Sequence, residues 1–529
     1  MSVRDRGVLV GIDAGGSYVK AAAFDVDSGR VGVAVRRVPV VHPAPGHNER
    51  DPEALWQAAA EVVRGATAQI DDAATRVAAV GVTAHGNGLY LVDRRGSPTR
   101  AAIQASDTRA SSIVRQWELD GIPDRLRPTI WNGIWPGQPG PLLAWLAANE
   151  PETLQRSSAA LMCGDYMRAR LTSDVHAEIT AASCNGLVDS TARTWSNVAL
   201  EAYGINSQER LLPGMVQPAD VIGTVTARAA ELTGLPTGVP VVAGVVDNVG
   251  LHLGAGVLDG SRIVIGAGTW SINQLLVPED EMTLDGALGR VRPYAACLAV
   301  PEPMAMLIEA SATSASVLGW ALHHATRSVA AAAEASGEDV YAYALRQVAA
   351  RPPRLDAPLF MPYLDGARDE PMARGGWVGL SSSSDEIDLI AAVVEGVCFE
   401  HRRHVDRLSL GTDRAVPLRL AGGASRSATW AQLFADVTAR PVEVSAAEEL
   451  GAVGAAIIAG ASAGHFRTLS DGVASLNATQ HTFQPDAAGV EFRALRFETY
   501  LRWARIMIDS GAHAALATAS ATRGTAPPS

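Results

Sequence analysis

Apolar positions in this chain cluster into short β-branched runs that end in glycine, and two of those runs end in an unusual way. Val241-Val242-Ala243-Gly244-Val245-Val246 reads as a buried strand and ends in Asp247-Asn248. A carboxylate at the end of a buried strand is costly unless it meets water, a metal or a donor. Ile263-Val264-Ile265 ends in Gly266-Ala267-Gly268-Thr269-Trp270-Ser271, a turn whose backbone N–H groups suit an anion. Val8 to Asp13 is a similar strand, followed by the turn Ala14-Gly15-Gly16-Ser17, a second strand over Tyr18–Phe24 and a third over Val31–Val35. Here the glycine turn leads into a strand, so a dinucleotide-binding βαβ unit, in which it opens a helix, is disfavoured. Arg262 to Leu276 repeats the strand–turn–strand pattern about half a chain later. Such self-similarity predicts two domains of like topology facing each other with a nucleotide between them.

Helical patterns fill much of the rest. Asp51-Pro52-Glu53 has an N-cap, a first-position proline and a first-turn acid, and predicts a helix to about Gly65 with Leu55, Ala59 and Val62 inward. Val77–Thr83 and Leu89–Val92 read as strands joined by the polar loop Ala84-His85-Gly86-Asn87-Gly88. Helices are predicted over Gly140–Glu150 and from Cys163, and strand and turn over Glu178–Trp195. Met306–Ala325, with Ser311, Thr313, Ser314 and Trp320, reads as one small-residue helix. Asp385–Val405 carries Ile390, Val393, Val394 and Val397 at helical spacing, and Glu395 among them reads as a buried hydrogen-bond anchor. Pro417–Ala421 is a predicted strand, and Ser427 caps a helix with Trp430, Leu433, Phe434 and Val437 inward. Gly451–Ala456 is so small-sided that another backbone must pack closely on it. The tail over 513–529 is Ala/Thr/Ser/Pro-rich and predicted to be disordered.

Composition narrows the function classes. A chain of 529 residues is long for one core. A net charge of -12 argues against broad attraction to nucleic acid or anionic membranes, so an anionic ligand would be held by local donors or a metal. Cys163, Cys184, Cys297 and Cys398 are far apart, without a CxxC pair, and read as reduced thiols of a cytoplasmic protein. No secretory signal and no apolar run of about 20 residues is apparent. Lys20 is the only lysine against 43 arginines; this reads as coding bias and assigns Lys20 no chemistry.

Candidate chemistry centres on Asp247 and the Gly-x-Gly-Thr turn, an acid and a phosphate loop in one short segment. His85 and Asn87 either reach ligand hydroxyls or simply form a tight turn. Asp107 and Arg109 are substrate ligands or an internal ion pair; their local setting favours the pair.

Taken in order, these segments resemble the FGGY carbohydrate kinases of the actin/hexokinase superfamily. The resemblance rests on Gly11–Ser17, Glu49-Arg50-Asp51-Pro52-Glu53 with Trp56, Asp165-Tyr166 with Leu171-Thr172, Val245–Asn248, Gly268-Thr269, Pro362–Arg368, and Gly422–Ser425 with Trp430, Gln432, Ala435 and Asp436. It implies an α/β fold of two ribonuclease-H-like domains facing a central cleft, over 1–256 and 257–512. It also implies ATP-dependent phosphorylation of a sugar or polyol hydroxyl with Mg2+, in a cytoplasmic protein and in a homodimer. Asp247 would be the catalytic base. Asp13 and Asp247 would sit at the metal, and Gly15, Gly16, Ser17, Gly268, Thr269, Gly422, Gly423 and Ala424 at the nucleotide. His85, Asn87, Asp107, Asp247 and Asn248 would bind the sugar.

The chain also departs from the family pattern. Trp270 stands where a serine is common, and Ala105 replaces the tryptophan ahead of Asp107 and Arg109. His85-Gly86-Asn87 disfavours glycerol. The run His85–Tyr90 and the Gly-Thr-Trp turn resemble the L-xylulose kinase group, so a pentulose is the expected substrate. A tetritol such as erythritol is the alternative, as is a non-catalytic sugar-binding regulator of the same fold.

Overall fold

A computed structural model describes residues 7–509, apart from Arg30, Thr313, Asp369, Pro371, Met372, Asp413, Arg414, Ala446, Glu448 and Ala478. The tail over 513–529 and Thr313 therefore lie outside the described residues. The chain divides into two compact units. The first comprises Met1–Asp259, Leu276–Leu307 and Ala446–Ala478, and the second Gly260–Leu275, Ile308–Ser445 and Thr479–Ser529.

The first unit is built on the predicted meander. Strands β1 (Val8–Ala14), β2 (Tyr18–Asp25) and β3 (Val31–Arg37) are successively antiparallel. Helix α1 (Pro52–Thr67) follows, then β4 (Val77–Ala84), β5 (Val221–Thr224), β6 (Pro240–Val246) and helix α2 (Asp247–Gly254). The sheet order is β5-β6-β4-β1-β2-β3, with β6, β4 and β1 parallel. Every residue of β4 is buried, because helices cover both faces of the sheet. On one face Asp51 caps α1 by accepting from the Glu53 N–H at 2.8 Å, and Leu55, Trp56, Ala59 and Val62 point inward. On the other lies the helix Leu450–Ser462. A Cβ on Gly11 would stand 1.9 Å from the Ala452 carbonyl oxygen, and one on Gly81 2.1 Å from that of Ala455. That is the close backbone approach the small-sided run predicts.

The second unit repeats the hairpin. Its strands are β7 (Ile263–Ala267) and β8 (Ser271–Pro278); after helix α3 (Glu386–Leu408) come β9 (Leu418–Gly422), helix α4 (Ala428–Thr438), β10 (Val442–Ser445) and β11 (Thr479–Phe483). Their order is β8-β7-β9-β10-β11, with β7, β9 and β10 parallel. Ile390, Val393, Val394 and Val397 form the buried face of α3, and Trp430 on α4 donates to the Val394 carbonyl at 3.2 Å. Glu395 is the buried anchor: both of its oxygens accept from Arg496, at 2.6 to 3.0 Å. Ser427 caps α4 through the Trp430 N–H.

Two expectations about local structure fail. Met304–Ser311 is a strand, seven of whose eight residues are buried, and the helix begins only at Ser316. Met304–Ile308 is a continuous apolar run, which periodicity alone assigns to neither helix nor strand. Within Glu178–Trp195, Ile179–Ser183 forms a short helix. The Glu178 carboxylate caps it, accepting from the Thr180 and Ala181 N–H groups at 2.7 and 2.9 Å.

Candidate active site

Three parallel strands of the first unit, β1, β4 and β6, end side by side, and the candidate residues lie just past their carboxyl ends, the usual ligand-binding edge of such sheets. Asp13 lies next to the last position of β1, His85 follows β4, and Asp247 follows β6 and opens α2. Just before Asp247 the strand bulges. Gly244 adopts φ +72, and a Cβ there would meet the Val82 carbonyl oxygen at 1.9 Å, so only glycine passes β4 at this point.

The Asp247 carboxylate accepts from the N–H of Asn248 at 2.8 Å and is also held by the Gly86 backbone. Burial, and then the neighbouring Asp13 charge, push its pKa up to about 7. Burial raises Asp13 to about 6, with Lys20 opposing and Glu449 assisting the rise. Lys20 is the cross-strand partner of Asp13 and pairs with Glu449 at 2.5 Å. A Cβ on Gly451 would lie 2.5 Å from the Asp13 carboxylate, so the start of the helix Leu450–Ser462 presses on that acid without a side chain between.

The loop after β4 is tied to the same edge by the His85 N–H, which donates to the Ala14 carbonyl at 3.0 Å. Asn87 and Gly88 both have positive φ, which turns the loop sharply. His85 and Asn87 are buried, and among the described residues neither His85 Nε2 nor Asn87 Oδ1 has a hydrogen-bond partner. Burial, reinforced by Arg50, lowers the His85 pKa to about 4 and keeps the ring neutral. Arg50, itself fully buried, donates to the carbonyls of Gly15 and Gly16. Gly16 and Ser17 themselves are exposed.

Asp107 forms the internal ion pair. Its two oxygens accept from Arg109 Nε and Nη2, each at 2.9 Å, and from the N–H groups of Arg109 and Asn48.

In the second unit the turn between β7 and β8 exposes Thr269 and Trp270. The Ser314 N–H donates to the Thr269 carbonyl and the Ser316 N–H to the Gly268 carbonyl, each at 3.1 Å. Gly422 ends β9 with φ +85, and a Cβ there would stand 2.5 Å from the Ala267 oxygen. Gly423 is exposed beside it and Ala424 is buried. Ser425 Oγ closes the bend by donating to the Gly422 carbonyl at 2.7 Å.

Sequence reasoning passed over Lys20 and Arg50. Arg50 lay within a quoted motif, and its burial was the missing information; the arginine bias masked Lys20. As a metal site, the pair Asp13 and Asp247 suits a hard cation. Burial and the Asp13 charge hold the pKa of Asp247 up, a cost that a divalent ion relieves, and Mg2+ is commonly held by one or two carboxylates with phosphate oxygens and waters. Among the described residues no group of three or more His, Cys, Asp or Glu side chains forms a protein-only metal cage. All four cysteines are free and buried, and no described helix is long and apolar enough to cross a membrane.

Residues 8–254 match the N-terminal domain, and residues 263–463 the C-terminal domain, that define one group of enzymes. The chain belongs to the FGGY family of carbohydrate kinases. It is a sugar kinase of the actin/hexokinase-like fold with ATP as a substrate. The kinase is 31% identical to the L-xylulose/3-keto-L-gulonate kinase of Escherichia coli, over 93% of this chain and 95% of that relative. It is 29% identical to the erythritol kinase of Brucella abortus, over 89% and 91% of the two chains. Among solved structures, the xylulose kinase of Lactobacillus acidophilus superposes with a TM-score of 0.81 over 96% and 98% of the two chains, at 20% identity. The xylulose kinase of Rhodospirillum rubrum gives 0.78 over 94% and 99%, at 26% identity.

Proposed function

We propose that this kinase phosphorylates a hydroxyl of a small ketose, a pentulose such as L-xylulose, with Asp247 as general base. The observation that carries this is the Asp247 carboxylate at the carboxyl edge of the first unit's sheet, poised near neutrality by burial and Asp13. A sugar hydroxyl is a weak nucleophile, and a base is most effective when its pKa lies near the working pH. Asp247 takes the hydroxyl proton as the new O–P bond forms and the bond from the γ-phosphorus to ADP breaks. The N–H groups of Asn248 and Gly86 orient the carboxylate for that transfer. Asp13 and Asp247 would hold Mg2+, which when bound supplies charge neutralisation at the phosphates.

His85 Nε2 and Asn87 Oδ1 are offered to sugar hydroxyls, with Asn248 beside the base. Asp107, the fifth residue expected at the sugar, is engaged with Arg109 and the Asn48 N–H. The turn Gly15–Ser17 and, in the second unit, Gly268-Thr269 and Gly422–Ala424 take the nucleotide. A pentulose is favoured by the likeness to the Escherichia coli relative and by the His85–Tyr90 run.

The test is ADP release, followed in a coupled assay across pentuloses, tetritols and hexuloses. A pentulose with the highest kcat/KM supports the reading. Preference for a tetritol replaces the substrate, and sugar-induced thermal stabilisation with no ADP release from any sugar replaces the catalyst with a binding protein. Asp247→Asn should fold and lose turnover; retained turnover excludes Asp247 as base.

A further inference from the structure

The turn Gly268-Thr269 has little to stiffen it from within. Trp270 is 38% exposed, and the bond across the turn, from the Gly268 N–H to the Trp270 carbonyl, is long at 3.4 Å. Its order must come from its surroundings: Ser316 holds the Gly268 carbonyl directly, and one buried side chain ties together Ser314 and the strand that leaves the turn. His401, on α3, is fully buried in the second unit. Its Nε2 lies 2.8 Å from Ser314 Oγ, and Ser314 is the residue whose N–H holds the Thr269 carbonyl. Its Nδ1 lies 2.7 Å from Asn273 Oδ1 and 3.2 Å from Ser271 Oγ, on the strand that leaves the turn.

The donor directions are consistent. Asn273 Nδ2 donates to Ser271 Oγ and to the Glu309 carbonyl, which leaves Asn273 Oδ1 as acceptor. His401 therefore carries its proton on Nδ1, and Nε2 accepts from the Ser314 hydroxyl. Only the neutral ring does both. Burial, with His404 nearby, lowers the His401 pKa in agreement with this. Phe434 of α4 packs edge-on against the ring at 5.3 Å.

We propose that His401 is a positioning residue that braces the Gly268-Thr269 turn, with one hydrogen bond to Ser314 and one to Asn273 on the strand that leaves it, so that the turn is pre-formed for a nucleoside triphosphate. This rests on the reading of that turn as a phosphate site. A pre-formed turn binds without paying for its own ordering, so losing the brace weakens the nucleotide rather than the sugar.

Four variants of the full chain test it: His401→Leu removes both bonds, His401→Gln keeps an acceptor toward Ser314, His401→Asn keeps a donor toward Asn273, and Ser314→Ala cuts one side. His401→Leu is expected to raise the ATP KM about tenfold, with the other three lying between it and the parent, while the sugar KM changes less than about twofold. Thermal unfolding midpoints identify folded variants; if His401→Leu fails to fold, the other three decide. Unchanged ATP KM in the folded variants, or equal changes in both KM values, overturns the proposal. Gly268→Glu separates the two readings, because it sets a carboxylate at the turn itself. If Gly268→Glu leaves the ATP KM unchanged, the turn is not a phosphate site and both readings fall. If it raises that KM while folded His401 variants do not, only the brace falls.

Discussion

The hairpin β1–β2 and the hairpin β7–β8 share one plan: a strand, a glycine turn, an antiparallel return strand, and a parallel neighbour on the first strand's other side. They are secured by opposite means. One pair back from the turn, the first hairpin sets Asp13 against Lys20, while the second sets Gly266 against Ile272. The first turn hangs its carbonyls on the Arg50 guanidinium; the second is held by serine N–H groups and the neutral ring of His401. The difference separates chemistry from grip. On the proposed reading, charges belong to the first site, where a proton would move and a metal would bind, and they make that site expensive to fold. A site that only holds phosphate needs fixed N–H dipoles, which neutral buried bonds supply without such a cost.

Removing charge from the first site should therefore be the most damaging change. Asp247→Asn keeps the size and the backbone bonds but offers no basic oxygen. We expect kcat to fall by about 10^2 to 10^4, with the ATP KM changed far less. Steady-state kinetics against the preferred sugar measures both, and a loss confined to KM would put the charged site on the same footing as the neutral one.

Arg50→Met comes next. It strips a buried cation from the Gly15 and Gly16 carbonyls and leaves both without their donor. Destabilisation of about 2 to 3 kcal/mol is expected by denaturant unfolding, more than for the single-bond variant Ser314→Ala at the neutral turn, at about 1 kcal/mol. Equal losses would erase the contrast.

The third effect reverses sign. Burial and the Asp13 charge raise the Asp247 pKa from its ordinary 3.8 to about 7, so between those values the folded protein keeps a proton that the unfolded chain releases. The contribution of Asp247 to stability is therefore greatest below about pH 4, falls as pH rises toward 7, and is flat above. Asp247→Asn escapes this loss. Without ligands it should be more stable than the parent by on the order of a few kcal/mol at pH 8, a gap that closes toward pH 4. Thermal unfolding across that range checks it, and a gap that does not narrow on acidification would mean that the charge is not the source.

The two hairpins also differ in how far they were legible in the chain. Both turns stood out, because an apolar run broken by closely spaced glycines leaves few alternatives. Asp247 was legible because an acid ending a β-branched run is costly without a reason, and the Asp107–Arg109 pair because its partners are two residues apart. What secures each turn was not legible. Arg50 reaches Gly15 across 35 positions, and His401 reaches Ser271 across 130, and neither carries a local mark of its burial. Lys20 was hidden by arginine excess, although a lone lysine facing an acid across a hairpin is visible once the register Asp13↔Lys20 is known. Ser314, within a stretch expected to be helical, lies instead on the connection between a strand and a helix, where its N–H is free to hold the turn.

The smallest effect tests whether the neutral turn depends on its own side chains at all. Trp270 occupies the position at which the family resemblance leads one to expect serine, which invites the idea that a phosphate contact is missing. The structure argues otherwise. The indole is 38% exposed, and the carbonyls on both residues before it are held by Ser314 and Ser316. If grip comes from backbone N–H groups held in place by their surroundings, a hydroxyl at position 270 adds one exchangeable contact in water-exposed surroundings, where a hydrogen bond nets about 1 kcal/mol or less. Trp270→Ser should therefore shift the ATP KM by less than about threefold, in either direction, and leave kcat unchanged. An ATP titration at saturating sugar measures this. A shift above about tenfold would mean that the indole itself contacts the nucleotide, and the second turn would then rely on a side chain as the first relies on Arg50.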